Sequence, residues 1–271
     1  MTQHLLLHVI VFLGLGAFAG LLSGMLGVGG GVIIVPALAI VFRMDGFPPA
    51  TIMQLAAGTS LAVMVVSMMR ALLAHRHYHV EFWSIYKRWL IPIVIGVIAG
   101  VVVAHHVPSR ALALIFGFFI FFIALKLLLP MKEKEHRTLP AMTGMSASGV
   151  LIGGFSAMLG IGGGALTVPF LVHCNVEMRR AVVVSTAVGI TIAIMGTIMV
   201  IFTGLHQVNL PPRTIGYIYW PAWLGIAIGS LLFVPIGTAL SHRLPVTILR
   251  RLLAVLLLVV GIHLVLRVLH A

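Results

Sequence analysis

Acidic residues are scarce in this chain. Five Asp and Glu stand among 271 residues, against 17 Lys and Arg. All five (Asp45, Glu81, Glu133, Glu135 and Glu177) fall between apolar runs or at their ends. A membrane Na⁺ site usually needs a carboxylate within the bilayer, and so do many proton relays. Their absence from the apolar runs argues against a cation site. Lys and Arg are missing from the middle of those runs as well, so any anion held there must be held by backbone dipoles and hydroxyls. Cysteine is nearly absent. Cys174 stands alone, which rules out an internal disulfide or a CxxC site. Charged residues of both signs make up only 8% of the chain.

What is present is apolar. The sequence is 61% hydrophobic, with a mean hydropathy of +1.19. A soluble domain of this length has too little interior to hide that much apolar surface. The apolar runs are each close to the ~20 residues that cross a bilayer core. The expected class is therefore an all-α polytopic membrane protein, integral to the cell (inner) membrane and in contact with lipid. The N-terminus has no basic leader region, so it is read as part of the structure. The net charge of +12 is read as the cytoplasmic excess of Lys and Arg in membrane proteins, not as a nucleic-acid surface.

The chain repeats itself. Residues 20–40 and 153–173 share eleven of 21 positions: Gly20/Gly153, Ser23/Ser156, Met25/Met158, Leu26/Leu159, Gly27/Gly160, Gly29/Gly162, Gly30/Gly163, Gly31/Gly164, Val35/Val168, Pro36/Pro169 and Leu38/Leu171. A duplication of this kind sets the domain plan. The first repeat spans 1–130, a polar cytoplasmic linker 131–140, and the second repeat 141–271. Three apolar runs follow each motif, at about 51–73, 89–105 and 110–129, then at about 181–203, 215–240 and 246–269.

Charge selects between two topologies. If each motif region crosses once, the halves are parallel and the cations split 10 to 7. If each motif region enters and returns as a hairpin, the halves are inverted. One side then holds thirteen cations and the other only Arg43, Arg110, Arg213 and Arg267. That asymmetry favours two inverted repeats, each a glycine-broken helical hairpin plus three transmembrane helices, with both termini outside.

The glycine runs explain the hairpins. A broken membrane helix exposes backbone groups that lipid leaves unsatisfied, so breaks sit within protein or beside water. The apolar segments "VIIVPAL" and "ALTVPFL" after each break are expected to start short helices near mid-membrane. A helix start carries free N–H groups and about half a positive charge, a setting that attracts anions. Gly27, Pro36, Gly160 and Pro169 are the expected break or hinge positions. Close helix packing is the alternative use of such glycines, and Gly96, Gly100, Gly225 and Gly229 are read that way.

"AGTSLAV" (Ala57 to Val63) and "VSTAVGI" (Val184 to Ile190) place Thr59, Ser60, Ser185 and Thr186 near the start of the next helix in each half. Their hydroxyls either donate to an oxyanion or bond back to their own helix. With Ser23, Ser156, Gly29, Gly30, Gly31, Gly162, Gly163 and Gly164, they form the candidate substrate-binding set.

At these motifs the chain resembles the TauE/SafE family of sulfite and organosulfonate permeases. "GMLGVGGGVIIVPAL", "AMLGIGGGALTVPFL" and the stretch from Pro221 to Pro245 carry the resemblance, which covers almost the whole chain. It implies transport of small sulfur oxyanions or sulfonates such as sulfoacetate. The histidine-rich loop "AHRHYHVEFW" departs from the family pattern. His75, His77 and His79 alternate there and suggest the competing reading, transition-metal transport. A solvated or head-group contact is the plainer role for them. His263, deep in an apolar run, is a proton relay or a hydrogen-bond partner of a neighbouring helix. An enzyme is not expected: no GxSxG elbow and no HExxH motif occurs. No cofactor is expected, and the sequence leaves direction, coupling and homo-oligomer formation open.

Overall fold

A computed structural model of the chain describes residues 2–26, 29–74, 83–128, 139–207 and 209–241, with short helical pieces at 254–255, 258–259 and 261–262. Gly27, the loop histidines His75, His77 and His79, most of the linker, His263 and most of the last apolar run lie outside the described residues.

The described residues form nine α-helices: α1 (Thr2–Leu26), α2 (Gly31–Met44), α3 (Ile52–Ala74), α4 (Trp83–His106), α5 (Ser109–Leu128), α6 (Met142–Met158), α7 (Gly164–His173), α8 (Met178–Gly204) and α9 (Trp220–Ser241). Five of them contain spans long and apolar enough to cross a membrane: His8–Met25, Ile52–Leu73, Trp83–His106, Arg180–Gly204 and Trp220–Leu240. The chain is an all-α polytopic membrane protein. The α2 and α7 helices, with 14 and 10 residues, reach only about 21 and 15 Å, short of a ~30 Å bilayer core.

Two expectations about element boundaries are corrected. The run expected to be helical from 215 instead opens with a two-stranded antiparallel ribbon, β1 (Thr214–Ile215) and β2 (Ile218–Tyr219), and α9 begins only at Trp220. Gly216, with φ +56, makes the turn between the strands, and its backbone is pressed against Gly204. The α4 helix starts at Trp83, six residues ahead of the expected 89, and Lys87 lies over the Trp83 ring at 5.8 Å. An ammonium on an aromatic face at a helix end keeps its charge near the interface while the stem covers apolar surface.

Glycine contacts give the directions of the helices. Gly16, Gly20 and Gly24 of α1 abut the backbone at Ile226, Ser230 and Val234 of α9, in the same order, so α1 and α9 run parallel. Gly96 and Gly100 of α4 abut Val150 and Gly154 of α6, again in parallel. Leu61 and Met68 of α3 meet Gly196 and Gly189 of α8 in reversed order, so these two helices run antiparallel. Elsewhere α2 packs on α3 as α7 packs on α8, and α4 on α8 as α9 on α3. Small residues let these backbones touch, which substitutes for the hydrophobic drive that lipid does not provide. Gly225 and Gly229 do the same against Phe12 and Leu13.

Each short helix folds back on the long helix before it. Gly30 lies against Ala19 of α1, and His8 near the start of α1 bonds Asp45 at the end of α2. In the second half Trp89 of α4 donates from Nε1 to the carbonyl of Met145, in the first turn of α6, at 2.9 Å. The same ring meets Phe170, late in α7, at a centroid distance of 5.5 Å with the planes tilted by 48°. Both motif regions are therefore helical hairpins, as the glycines predict.

Candidate functional site

The α1 helix ends at Leu26 and α2 starts at Gly31; α6 ends at Met158 and α7 starts at Gly164. The residue capping each short helix has the same left-handed backbone: Gly30 at φ 72, ψ −14, and Gly163 at φ 72, ψ −26. Residues other than glycine rarely adopt that conformation, so the capping glycines are set by backbone geometry and not by packing alone. Pro36 and Pro169, expected to disturb the helices, lie inside α2 and α7, which run through them. Burial of α2 and α7 against α3 and α8 holds them together where an isolated helix would break.

The two breaks meet. A Cβ added at Gly29 would sit 3.3 Å from the Cα of Gly162, and one at Gly162 would sit 3.5 Å from the Cα of Gly29. Gly31, the first residue of α2, packs against the carbonyl of Gly160 and lies within 3.1 Å, by the same measure, of the Cα of Ile161. The starts of α2 and α7 thus converge inside the bundle, each with first-turn N–H groups outside the helical ladder and about half a positive charge. All the described glycines of the junction, Gly29 to Gly31 and Gly160 to Gly164, are buried.

Hydroxyls around the junction divide by partner. Ser60 donates to the carbonyl of Gly160 at 2.9 Å and so ties α3 to the second break. Thr59 accepts the N–H of Tyr219 at 3.0 Å, away from the junction. Thr186 donates back to Val182 of its own helix at 2.8 Å. Ser185 is fully buried beside it in α8. Ser23 and Ser156, matching residues in the last turns of α1 and α6, are both buried with no hydrogen-bond partner for Oγ among the described residues; so is Thr167 in α7. Buried hydroxyls are normally satisfied, so a matched unpaired couple beside the breaks marks a place where a polar guest would be welcome.

Several residues at the junction carry no signal in the sequence. Met64 and Met68 of α3 lie over Gly29 and Gly162. A narrow cleft leads toward the second break, lined by Gln54, Ala57, His105, Ala157, Met158 and Tyr217 among others. Nδ1 of His105 lies 3.0 Å from the Tyr217 hydroxyl across it. Burial raises the pKa of Tyr217, which keeps the phenol neutral. Spacing by four along α3 is the one hint at the methionines, and it is shared by any buried helix. Among the described residues, no three His, Cys, Asp or Glu gather as a metal site would require.

Broken helices that converge within a bundle of membrane-length helices define a membrane transporter. The chain belongs to the sulfite exporter TauE/SafE family, which it matches over residues 12–264. It is similar to a "Probable membrane transporter protein" of Haemophilus influenzae, 31% identical over 96% of this chain and 98% of the relative. Another similar protein, a probable membrane transporter of Methanocaldococcus jannaschii, is 26% identical over 97% of this chain and 96% of its own. A third, from Bacillus subtilis, is 22% identical over 94% and 97%. No solved structure matches the chain.

Proposed function

We propose that the chain carries a small anion, sulfite or an organosulfonate, across the cell (inner) membrane through the junction of its two helix breaks. The observation behind this reading is the convergence of Gly29–Gly31 with Gly160–Gly164, which aims two positive helix ends at one buried point. Ser23 and Ser156 supply unpaired hydroxyls, and the N–H groups of the first turns supply further donors. A sulfonate or sulfite presents three oxygens to such donors and needs no carboxylate or metal partner.

The chain is further proposed to be two inverted repeats, 1–130 and 141–271, joined by the 131–140 linker. The antiparallel run of α3 against α8 supports this, because two membrane-length helices in matching positions then cross in opposite senses. The exchanged packing, α1 on α9 and α6 on α4, fits the same two-fold plan. Both halves would then open and close around one site.

A binding measurement on the detergent-solubilised chain tests the site. A ligand held only by the folded state raises stability by about 2.7 kcal/mol at a hundred times its Kd. Sulfite and sulfoacetate should raise the unfolding midpoint, chloride less, and Ni²⁺ not at all. A rise with Ni²⁺ and none with any sulfur anion would reverse the reading in favour of metal transport.

A further inference from the structure

One face of α3 carries Gln54, Ala57, Leu61, Met64 and Met68, three or four residues apart, with Ser60 at its margin. Residues so spaced share one side of a helix. This stripe passes the cleft, the Gly160 carbonyl and the contact of the two breaks in turn. Gln54 and Ala57 line the cleft beside His105 and Tyr217. Gln54 commits Nε2 to the carbonyls of Ala104 and Val107 and leaves Oε1 buried without a partner among the described residues. Ser60 holds Gly160. Met64 and Met68, fully buried, fill the space beyond.

Met68 is enclosed by glycines from three separate elements. A Cβ at Gly29 would overlap its Cε, one at Gly162 would lie 3.0 Å from it, and one at Gly189 of α8 would lie 2.8 Å from it. A Cβ at Gly162 would also come within 2.7 Å of Met64 Sδ. Three backbones stripped of side chains make room for one thioether, beside the contact between the two breaks. Methionine is unbranched, with three rotatable bonds, so it leaves such a place by rotation more readily than a branched residue of similar volume. The space it vacates is walled by the glycine backbone of both breaks and of α8.

We propose that Met68 plugs the translocation path: its thioether stands where a solute passes alongside the contact of the two breaks, and it rotates aside to admit one. This rests on the reading of the junction as the substrate site. The path runs along α3 from Gln54 past Ser60 to Met68.

The test is an anion leak in proteoliposomes, with nitrate or iodide as the probe and a trapped fluorescent indicator as the readout. Met68→Ala should raise the leak at least tenfold over wild type, whereas Met145→Ala, at a buried methionine beside Trp89, should leave it unchanged. A Met68→Ala protein that folds and is as tight as wild type overturns the plug. If that variant does not fold, Met68→Cys in a Cys174→Ala background serves instead. It should leak, and an anionic thiosulfonate reagent should react at position 68 and close the leak. A thiol at position 68 that leaves the membrane tight, or whose modification leaves the leak open, overturns the proposal. Because the probe contains no sulfur, failure of sulfite or sulfonate flux in wild type would remove the substrate assignment and leave the plug standing.

Discussion

His8 Nε2 lies 2.8 Å from Asp45 Oδ1, which joins the beginning of α1 to the residue that caps the end of α2. The contact makes the first motif region a hairpin, because a helix that continued across the membrane would carry Asp45 to the opposite end. Its energy is small. His8 is 37% exposed and Asp45 21%, and a pair so exposed to its surroundings contributes about 0–1 kcal/mol. His8→Ala should therefore lower the thermal midpoint only slightly and leave anion flux intact. A drop equivalent to more than ~2 kcal/mol would mean that the pair, and not helix packing, holds the hairpin.

The capping glycines should tolerate nothing larger. Gly30 and Gly163 have φ 72, and a side chain there costs about 1–3 kcal/mol in backbone strain before any clash. A Cβ at Gly163 would also sit 2.6 Å from Ile192 Cδ1. Gly30→Val and Gly163→Val should each abolish transport, with flux normalised to folded protein. Normal flux in both would reduce these glycines to packing elements.

The four hydroxyls read together in the sequence should separate by mutation. Ser60→Ala leaves the buried carbonyl of Gly160 without its partner, at a cost of about 1–3 kcal/mol in stability. Thr186→Val removes only a bond to its own helix and should change stability by less than ~1 kcal/mol, with anion affinity untouched. Thermal unfolding and anion titration of the two variants check this. Equal behaviour of both would contradict the partner assignments.

The hairpins and the breaks were legible because three consecutive glycines have few other uses, and because the cation distribution favours threading each motif region as a hairpin. Roles that depend on a partner from another helix were not. Thr59 and Ser60 are neighbours in the sequence, yet one accepts from Tyr219 and the other donates to Gly160, across 160 and 100 residues respectively. No local pattern distinguishes them. The ribbon before α9 was missed because "IGYIYW" carries no charge and runs directly into the apolar helix that follows, and periodicity does not separate a short strand from a buried helix segment. Pro36 and Pro169 read as breaks because local propensity takes no account of the helices packed around them. Met68 gave no warning at all: its meaning lies in three glycines from distant segments.

Topology is open to direct chemical test. Starting from Cys174→Ala, single cysteines at His206 and at Glu177, both exposed and at opposite ends of α8, should label from opposite sides with an impermeant reagent. Inverted repeats with thirteen cations inside require position 206 to be external and position 177 cytoplasmic. The reverse pattern would turn the whole assignment over.

The most direct measurement is voltage-driven efflux of sulfite and sulfoacetate from proteoliposomes, for wild type and for a Ser23→Ala/Ser156→Ala double variant. Moving one negative charge out of a negative interior releases about 2.3 kcal/mol per 100 mV. An imposed inside-negative potential should therefore speed wild-type efflux, and collapsing it should slow efflux, without Na⁺. Each hydroxyl lost to a charged guest should cost ~1.5–3 kcal/mol, so the double variant should bind at least a hundredfold more weakly. Wild-type affinity and flux in the double variant, or a wild-type chain that moves neither anion, would contradict the account.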